Sequence, residues 1–430
     1  MNITTTPNSV DIIIAGGGMV GSMLAAALAQ LDTDDDSAIA PSVCLVDAQV
    51  PSSFDPGSNP AYDLRVSALN HASQNMLRNV GAWPHITARR CCPFISMCVW
   101  NQKQDARTLF NAADIGEQQM GHIVENRVIQ LALHDQIRRS GNVVIECPDS
   151  LQKLRIDSNQ VVATLESGKA ITARLVVGAD GANSLVRKQA NIPITRDTYD
   201  QHALVATVQL AASQLATVAG QSRGSAHGNM TWQRFVPSGA QALLPLADDR
   251  ASIVWYHSAV EVARLAGLSE FEFIQELSDT FPAELGKVES ILQRGSFPLA
   301  KAHAEQYVKN RIALVGDAAH TVHPLAGQGV NLGLLDAAVL FDVIVECMEK
   351  QQDYADIRHL RKYQRARRGE NSVMITILDG FYRAFTNQPK PVATLRDSTM
   401  QLVDNQQLLK QAVMRYATGS GGSLPKLAMP

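Results

Sequence analysis

The residues with the clearest chemical potential lie in one stretch, Arg311–Gly333, with the sequence RIALVGDAAHTVHPLAGQGVNLG. Its apolar run, Ile312–Val315, predicts a buried strand that is followed by Asp317, and a glycine-containing loop then leads into a helix beginning near Gln328. A carboxylate accepts hydrogen bonds from sugar-like hydroxyls, and the free N–H groups at a helix start favour a group that becomes anionic. The stretch predicts a site for a large polar cofactor, the alternative being an ordinary surface turn.

A second candidate site lies near the start of the chain, where Gly16-x-Gly18-x-x-Gly21 stands between a short apolar run and a helical pattern. The first glycine permits a tight turn, the second lets a pyrophosphate approach the backbone, and the third lets the helix pack closely on the strand. Asp47 ends the next predicted strand and is a candidate for binding an adenosine ribose. We attribute its long distance from Gly21 to an acidic insertion at 32–36. Because no basic residue directly follows Asp47, the adenosine of FAD or NAD is favoured.

Three further polar residues are candidates for the same cofactor. Arg65 carries a guanidinium suited to a pyrophosphate, although a surface ion pair is the commoner role of arginine. Asn126 is predicted to cap a helix at Val128–Arg138, and it could contact a cofactor at the same time. The turn Gly178–Gly181 repeats the pattern of strand, Gly/Asp turn and helix, which makes Asp180 the third candidate.

Metal chemistry is not indicated by the sequence. His320-x-x-His323 lies in a predicted loop without a third ligand, so we predict no metal site and structural or cofactor-proximal roles for these histidines. The 6 cysteines form no C-x-x-C unit and no disulfide scaffold, which indicates a reduced, cytosolic setting.

The elements that must position these residues include a second sheet. Alternating apolar and polar residues between 203 and 256 predict a mostly antiparallel sheet, placed to cover a site. Trp232, Trp255 and Tyr256 lie in it as candidates for an apolar roof, and ordinary core packing is the favoured interpretation.

The overall composition is typical of a globular chain with more than one domain. A length of 430 residues suggests two or three domains, and 46% hydrophobic with 18% charged residues is ordinary for such a chain. The net charge of −3 argues against a nucleic-acid-binding protein. No signal peptide or membrane-spanning stretch is recognised. We expect a cytoplasmic protein, with peripheral contact at the inner face of the membrane left open.

The three motifs together resemble the single-Rossmann FAD-dependent aromatic hydroxylases of the para-hydroxybenzoate hydroxylase type. The strings DLRVSALN, GHIVEN, GADGANS and VGDAAHTVHPLAGQGVNLG are similar to the ubiquinone-biosynthesis branch of that family, over about residues 10–415. Within the branch, the 2-polyprenylphenol and demethoxyubiquinone hydroxylases are most similar. The resemblance implies an α/β fold with a Rossmann-like FAD-binding domain, an interleaved, mostly antiparallel β-sheet substrate domain and a C-terminal helical region.

The resemblance also implies a role for each matching residue, without assigning a catalytic residue or a metal ligand. His323 and Pro324 would lie near the flavin. The cofactor-binding residues that it implies are Gly16, Gly18 and Gly21 at the ADP half of FAD, Asp47 at its ribose, Arg65 at the pyrophosphate, Asn126 and Asp317 at the ribityl chain, Asp180 in the second Gly/Asp turn, and Pro324, Gly327, Gln328, Gly329, Val330 and Asn331 around the isoalloxazine ring.

The implied reaction is a monooxygenation. NADH or NADPH, binding transiently, or another electron donor would reduce the flavin, O2 would add to form a C4a-hydroperoxide, and its distal oxygen would attack an electron-rich ring. The expected substrate is a polyprenylated phenol or quinol in ubiquinone biosynthesis. The alternatives are a hydroxylase of a small soluble aromatic compound and a non-catalytic flavoprotein scaffold of a quinone-biosynthesis complex.

The predicted domains alternate along the chain. The segments 1–75, 126–190 and 296–345 would form the FAD-binding domain, 76–125 and 191–295 the substrate domain, 346–417 a helical region and 418–430 a disordered tail. Within the helical region, the tract 355–385 has a basic first half (Arg358, Arg361, Lys362, Arg365, Arg367 and Arg368) and an apolar second half. It could lie on an anionic membrane or bind a partner of the biosynthetic complex, and the alternative is a helix packed on the FAD-binding domain.

Overall fold

The computed structural model describes residues 8–31, 40–54, 62–101, 107–211, 229–324, 327–385, 406–419 and 424–430. Its strands are β1 (Ser9–Ala15), β2 (Val43–Val46), β3 (Val66–Leu69), β4 (Cys92–Phe94), β5 (Ser96–Asn101), β6 (Arg107–Asn111), β7 (Gly121–Glu125), β8 (Val143–Glu146), β9 (Leu151–Ile156), β10 (Val161–Leu165), β11 (Ala170–Gly178), β12 (Ile194–Leu210), β13 (Met230–Val236), β14 (Gly239–Leu246), β15 (Arg250–His257), β16 (Val288–Ala304), β17 (Val308–Lys309), β18 (Ile312–Leu314) and β19 (His320–Thr321). Its α-helices are α1 (Met19–Ala29), α2 (His71–Asn79), α3 (Trp83–Arg89), α4 (Asn126–Ile137), α5 (Leu185–Gln189), α6 (Ala259–Gly267), α7 (Glu270–Thr280), α8 (Gln328–Glu349), α9 (Ile357–Phe385) and α10 (Gln407–Ala417). The acidic insertion predicted at 32–36 lies outside the described residues.

The first sheet is mostly parallel and has the strand order β17-β18-β11-β1-β2-β8. In its centre, Ile14 pairs with Val177 on one side and with Leu45 on the other. These short apolar runs are buried because α1, α4 and α8 pack around the sheet. Since β1, β2, β11 and β18 run parallel, their carboxyl ends lie along one edge, and the loops that follow them meet there.

The second sheet has the order β19-β16-β12-β15-β14-β13-β5-β6 and is antiparallel except where β13 pairs with β5. One face packs on α6 and α7 around Trp232 and Trp255, which are 1% and 3% exposed. Both rings therefore pack in the core, and Trp232 also lines the apolar cavity at the start of α8. The opposite face carries Tyr256 and turns towards the loop that precedes α8. The predicted α/β fold class with its interleaved antiparallel sheet is confirmed.

Three predicted boundaries and the predicted tail differ from the structure. The boundary at 75/76 falls inside α2, and the boundary at 345/346 falls inside α8. The boundary at 295/296 falls inside β16, which pairs with β12 as far as Ala304. The prediction of a disordered tail is wrong for residues 424–430. Ala428 is fully buried there, and its carbonyl accepts a hydrogen bond from Asn75 Nδ2 at 3.2 Å. The tail is held because its backbone oxygens satisfy amide donors of α2.

The helix α9 packs along both halves of the molecule. Tyr363 donates a hydrogen bond to the carbonyl of Leu314 at 2.6 Å, while Leu378 packs beside Tyr256 and Leu299. Among the described residues, no helix is both long enough and apolar enough to cross a membrane.

Candidate cofactor and substrate site

Three turns meet at the carboxyl edge of the parallel sheet. The Ala179 N–H donates to the carbonyl of Ala15 at 2.7 Å, which joins the turn after β11 to the turn after β1. The Val315 N–H donates to the carbonyl of Gly178 at 3.0 Å, which joins the turn after β18 to the same place. The structure thus brings together the three segments that the sequence singled out.

The glycine loop has the shape that its spacing predicts. Gly16 has φ +104°, and a Cβ there would lie 2.3 Å from the carbonyl oxygen of Ala179. A Cβ on Gly21 would lie 1.9 Å from the carbonyl oxygen of Gly16, so both positions require glycine. Around Gly18 a Cβ would meet nothing within 4 Å, which leaves room for a ligand beside the start of α1.

Asp47 lies beside this loop at the end of β2. A Cβ on Gly17 would lie 2.7 Å from Asp47 Oδ2, while Oδ1 accepts a hydrogen bond from the N–H of Gln49 at 3.3 Å. The position next to the open space at Gly18 fits the predicted ribose contact, which stays a prediction.

Gln130 and His134, one turn apart on α4, support the glycine loop and were missed by the sequence analysis. Gln130 Nε2 donates to the carbonyl of Gly17 at 2.6 Å, and His134 Nε2 lies 3.0 Å from Ser22 Oγ. Burial lowers the pKa of His134, although its contact with the Gly17 backbone acts in the opposite direction. No local signal marks these two residues, because the partner loop is more than 100 residues away in the sequence.

A second missed residue is Arg187 in α5, which is 2% exposed. Its Nη1 donates to the carbonyl of Ala318 at 2.8 Å and its Nη2 to the carbonyl of Ala182 at 2.9 Å. Arg187 therefore joins the turn containing Asp180 to the turn containing Asp317.

Asp180 has one structural role and one free atom. Its Oδ2 accepts hydrogen bonds from the N–H groups of Leu185 and Val186 at 2.7 and 3.1 Å, which caps α5. Its Oδ1 is buried and has no hydrogen-bond partner among the described residues. That unpartnered oxygen at the turn is compatible with the predicted contact to a bound group.

Asn126 does not cap a helix, because it is the first residue of α4 and the cap position is Glu125. Asn126 Oδ1 instead accepts a hydrogen bond from Ser67 Oγ at 2.7 Å, and its N–H donates to the carbonyl of Arg65 at 3.0 Å. The predicted capping role was wrong. The predicted cofactor role remains a prediction, with Asn126 placed beside the exposed Arg65.

Asp317 lies in a 3₁₀ turn, Gly316–Ala318, with its side chain exposed at the sheet edge. The surrounding protein raises the pKa of Asp317, while the charges of His320 and Arg65 lower it. The influence of Arg65 shows that these two predicted cofactor residues lie within electrostatic reach of each other.

The first turn of α8 begins as expected at Gln328, and residues 327–330 are partly exposed. Asn331 is 1% exposed and fixes this turn, because its Nδ2 donates to the carbonyl of Ala68 at 2.9 Å and its Oδ1 accepts from Ser73 Oγ at 2.7 Å. The side chain of Asn331 is therefore structural. The free backbone N–H groups of Gln328, Gly329 and Val330 can still face an anionic ring.

His320 and His323 have different environments, and no cluster of potential metal ligands occurs among the described residues. His320 Nε2 lies 2.5 Å from Asp336 Oδ2, in a buried pair. His323 is 1% exposed and lies directly before Pro324.

An apolar cavity opens between the start of α8 and the second sheet. It holds about 850 Å³ of atom-free space, part of which is open to solvent, and apolar side chains form most of its wall. Pro324, Gly327 and Gln328 border it on the side of the three turns. Residues on the other sides are Phe94, Met97, Met120, Thr231, Gln233, Leu244, Val254 and Tyr256.

The fold and the converging turns define a dinucleotide-binding protein with an adjoining apolar chamber. The sequence profile of the FAD binding domain family matches residues 9–374, and the chain belongs to that family. The open space at Gly18, the unpartnered Asp180 oxygen and the exposed Asp317 carboxylate fit FAD. The predicted family resemblance and the predicted cofactor are confirmed.

Relatives are similar over nearly the whole chain. The 3-demethoxyubiquinol 3-hydroxylase of Escherichia coli is 36% identical over 96% of this chain and 100% of its own length. The ubiquinone biosynthesis monooxygenase COQ6 of Drosophila melanogaster is 34% identical and covers 97% of this chain and 91% of its own. The ubiquinone hydroxylase UbiL of Rhodospirillum rubrum is also 34% identical, over 95% of this chain and 90% of its own.

Solved structures with the same fold include p-nitrophenol 4-monooxygenase from Pseudomonas putida, with a TM-score of 0.74 and 17% identity over 97% of this chain and 100% of that one. Klebsiella pneumoniae HpxO, solved with FAD and uric acid, has a TM-score of 0.70 and 17% identity over 96% of this chain and 97% of that one. The chain is thus an FAD-dependent enzyme with the fold of the flavoprotein monooxygenases.

Proposed function

We propose that this protein is an FAD-dependent aromatic-ring monooxygenase that hydroxylates a polyprenylated phenol or quinol in ubiquinone biosynthesis. The observation that carries the proposal is the apolar cavity bordered by Pro324, Gly327 and Gln328. It adjoins the place where the family's cofactor is expected. The relatives named for ubiquinone biosynthesis, at 34–36% identity over almost the whole chain, support the substrate class.

The division of labour follows the two sheets. Bound FAD supplies the redox chemistry and the activation of O2. The turns after β1, β11 and β18 hold it, with Gly18, Asp47, Asp180 and Asp317 as the proposed contacts. The free N–H groups at the start of α8 face developing negative charge, and such preorganised donors are worth about 3–4 kcal/mol each where measured.

The wall of the cavity accounts for the exclusion of water. Phe94, Met97, Met120, Leu244 and Val254 form an apolar surface of strands and adjacent loops. Such a surface suits an aromatic ring with a hydrocarbon tail, and it keeps reactive oxygen chemistry away from solvent.

The electron donor is expected to be NADH or NADPH binding transiently. We also propose peripheral contact with an anionic membrane or a partner through the exposed face of α9. Arg361 and Arg365 are exposed there, and Val373 and Ile377 follow at 54% and 40% exposure on the same helix. A basic stretch followed by exposed apolar residues suits a lipid surface.

The decisive experiment is turnover of a short-tailed prenylphenol by the holoenzyme with NADH or NADPH under isotopically labelled oxygen. We expect one labelled oxygen atom in a hydroxylated ring. Oxidation of the nicotinamide with release of hydrogen peroxide only, for every prenylphenol tried, would contradict the proposal. An FAD-loaded protein that neither oxidises nicotinamide nor forms product would instead indicate a scaffold.

A further inference from the structure

The side chain of Gln233 is a polar group in the wall of the apolar cavity. Gln233 lies in β13 and is one of the residues that line the cavity. Its carboxamide forms no hydrogen bond with any residue that the structure describes. Because the residue is only partly buried, a ligand in the cavity can reach the carboxamide.

The geometry of β13 fixes the direction in which Gln233 points. Arg234, the next residue, points to the opposite face of the sheet, where its Nη1 donates to the carbonyl of Thr280 at the end of α7 at 3.3 Å. Successive side chains of a strand point to opposite faces, so Gln233 shares its face with Thr231, which also lines the cavity. The carboxamide of Gln233 therefore faces the cavity and not the helices.

The neighbours of Gln233 on this face of the sheet are apolar. Gln233 pairs with Val99 on β5 and with Ala242 on β14, and Ala242 pairs in turn with Val254 on β15. The Cβ atoms of directly paired residues lie about 4.5–5.5 Å apart. A carboxamide among such side chains loses part of its hydration and gains no hydrogen bond from them. The packing of the sheet therefore does not account for an amide at this position.

The other amide and hydroxyl side chains that line the cavity have partners inside the protein. Thr231 Oγ1 donates to the carbonyl of Leu243 at 2.8 Å, and the Tyr256 hydroxyl donates to the carbonyl of Pro324 at 3.2 Å. The remaining side chains of this kind, each bonded to another residue, are Asn70, Gln328 and Thr418. Within the described part of the wall, Gln233 is thus the amide that is left for a ligand.

The charge of the wall limits which group Gln233 can recognise. The described residues that line the cavity include no charged side chain. A carboxylate placed there would lose hydration without gaining a counter-charge, which is costly. A carboxamide is neutral and offers N–H donors and an oxygen acceptor. A phenolic hydroxyl is also neutral, donates one hydrogen bond and accepts others, and is therefore complementary to Gln233.

The position of Gln233 also suits a ring that lies near the cofactor. Val254, in the row of Gln233, precedes Tyr256 by two residues on β15, so the two rows of the sheet lie about 7 Å apart. Tyr256 bonds to Pro324, which borders the cavity on the side of the three turns. A ring bonded to Gln233 through its hydroxyl can therefore extend towards Pro324.

We propose that Gln233 is a specificity-determining residue that hydrogen-bonds the neutral ring hydroxyl of the phenolic substrate. This inference rests on the proposed function for the identity of the ligand. It assigns to Gln233 a role that no motif of the sequence specifies.

The test compares the wild type with Gln233→Met, which keeps the length of the side chain and removes its hydrogen-bonding groups. Holoenzyme is titrated with a short-tailed prenylphenol and with the matching prenylbenzene, which lacks the hydroxyl, and binding is followed by the change in flavin absorbance. We expect Gln233→Met to raise the Kd of the prenylphenol about fivefold, the effect of one lost neutral hydrogen bond. The Kd of the prenylbenzene should not rise.

The matched control is Thr231→Val, two residues away on the same face of β13. The hydroxyl of Thr231 is already bonded to the carbonyl of Leu243, so this variant should keep the wild-type preference for the prenylphenol over the prenylbenzene. Gln233→Asn, which keeps a shorter carboxamide, should show a preference between those of the wild type and Gln233→Met.

Thermal unfolding of the apoprotein gives an independent readout. Gln233→Met should melt at the same temperature as the wild type or higher, because it replaces an unpaired amide in an apolar wall. A lower melting temperature would show that the amide stabilises the fold, which contradicts an amide kept for a ligand.

The results that would overturn the inference are distinct from those that would overturn the function. An equal change in the Kd of both ligands in Gln233→Met, or no change in either, would show that Gln233 does not bind the hydroxyl. If wild-type protein binds the prenylphenol but forms no labelled product, the proposed hydroxylation fails. The comparison of the two ligands would still decide the role of Gln233.

Discussion

Replacing Asp336 by asparagine should destabilise the protein more than any surface charge change. Asp336 lies in α8 with no exposed surface. Its carboxylate lies 2.5 Å from His320 Nε2 and accepts hydrogen bonds from the Gly316 N–H at 3.1 Å, Arg367 Nε at 2.8 Å and Asn371 Nδ2 at 3.0 Å. One buried side chain thus joins the turn that begins at Gly316 to the helices α8 and α9.

The expected loss of stability follows from the positive charge of Arg367, which would remain buried without its carboxylate partner. Burial raises the pKa of Asp336, but the positive charges of His320 and Arg367 outweigh it and hold the pKa at about 2. Asp336→Asn removes the negative charge of the carboxylate. It also places an amide N–H donor against neighbouring groups that are themselves hydrogen-bond donors. Removing one partner of a buried pair costs about 3–5 kcal/mol. Because the half-exposed Glu370 also contacts Arg367, we expect about 3 kcal/mol.

The assay is urea unfolding of the apoprotein at pH 7, which avoids stabilisation by bound FAD. The matched control is Asp356→Asn, whose partner Arg358 has a side chain that is 77% exposed, and for which we expect about 0.5 kcal/mol or less. A loss below about 1 kcal/mol for Asp336→Asn, or one equal to the control, would refute the reasoning.

Lowering the pH should reduce the difference in stability between the wild type and Asp336→Asn. The folded-state pKa of Asp336 is depressed from its ordinary value of 3.8 to about 2. Its contribution is therefore fully present above the ordinary value and is lost as the pH falls through about 2. The stability difference between wild type and Asp336→Asn should shrink over that range, and a difference independent of pH would contradict the assignment.

Two further variants test the cofactor site and the surface. Asp317→Asn should weaken FAD binding about tenfold, measured by flavin fluorescence, without destabilising the apoprotein, because its carboxylate is exposed in the cleft. Unchanged FAD affinity would remove Asp317 from the cofactor contacts. The double variant Arg361→Glu/Arg365→Glu should lose flotation with anionic vesicles, whereas the charge-matched Lys153→Glu/Arg155→Glu on the exposed part of β9 should keep it. Failure of wild-type protein to float, or equal flotation of both variants, would exclude the membrane contact.

The parts of the site that the sequence predicted are those set by short-range sterics. A Cβ on Gly16 would clash with the turn at Ala179, and a Cβ on Gly21 would clash with Gly16. The fixed spacing of the glycine motif encodes both of these close contacts. Gln130 and Arg187 could not be predicted, because each reaches a backbone carbonyl more than 100 residues away. Such contacts depend on how elements pack, which local spacing does not contain.

For the basic tract at 355–385, the sequence likewise did not reveal which arginines are buried and which are exposed. Arg367 was counted with the surface cations, yet it is 2% exposed and paired with Asp336. The helical period places Arg367 on the opposite side of α9 from Arg365, but the sequence cannot show which side meets the protein. The carboxylate of Asp336, in the third turn of the apolar helix α8, was the signal that an inward cation was needed.

The two faces of α9 therefore serve different purposes and can be perturbed separately. On its inner face, Arg367 binds Asp336, which in turn accepts a hydrogen bond from the Gly316 N–H at the cofactor turn. The same face reaches the second sheet through Asp379, which accepts a hydrogen bond from Tyr199. Its outer face keeps Arg361 and Arg365 exposed. Because the inner contacts connect the cofactor turn with the second sheet, a change there should alter both stability and FAD binding. A change on the outer face should alter only association with a surface or partner.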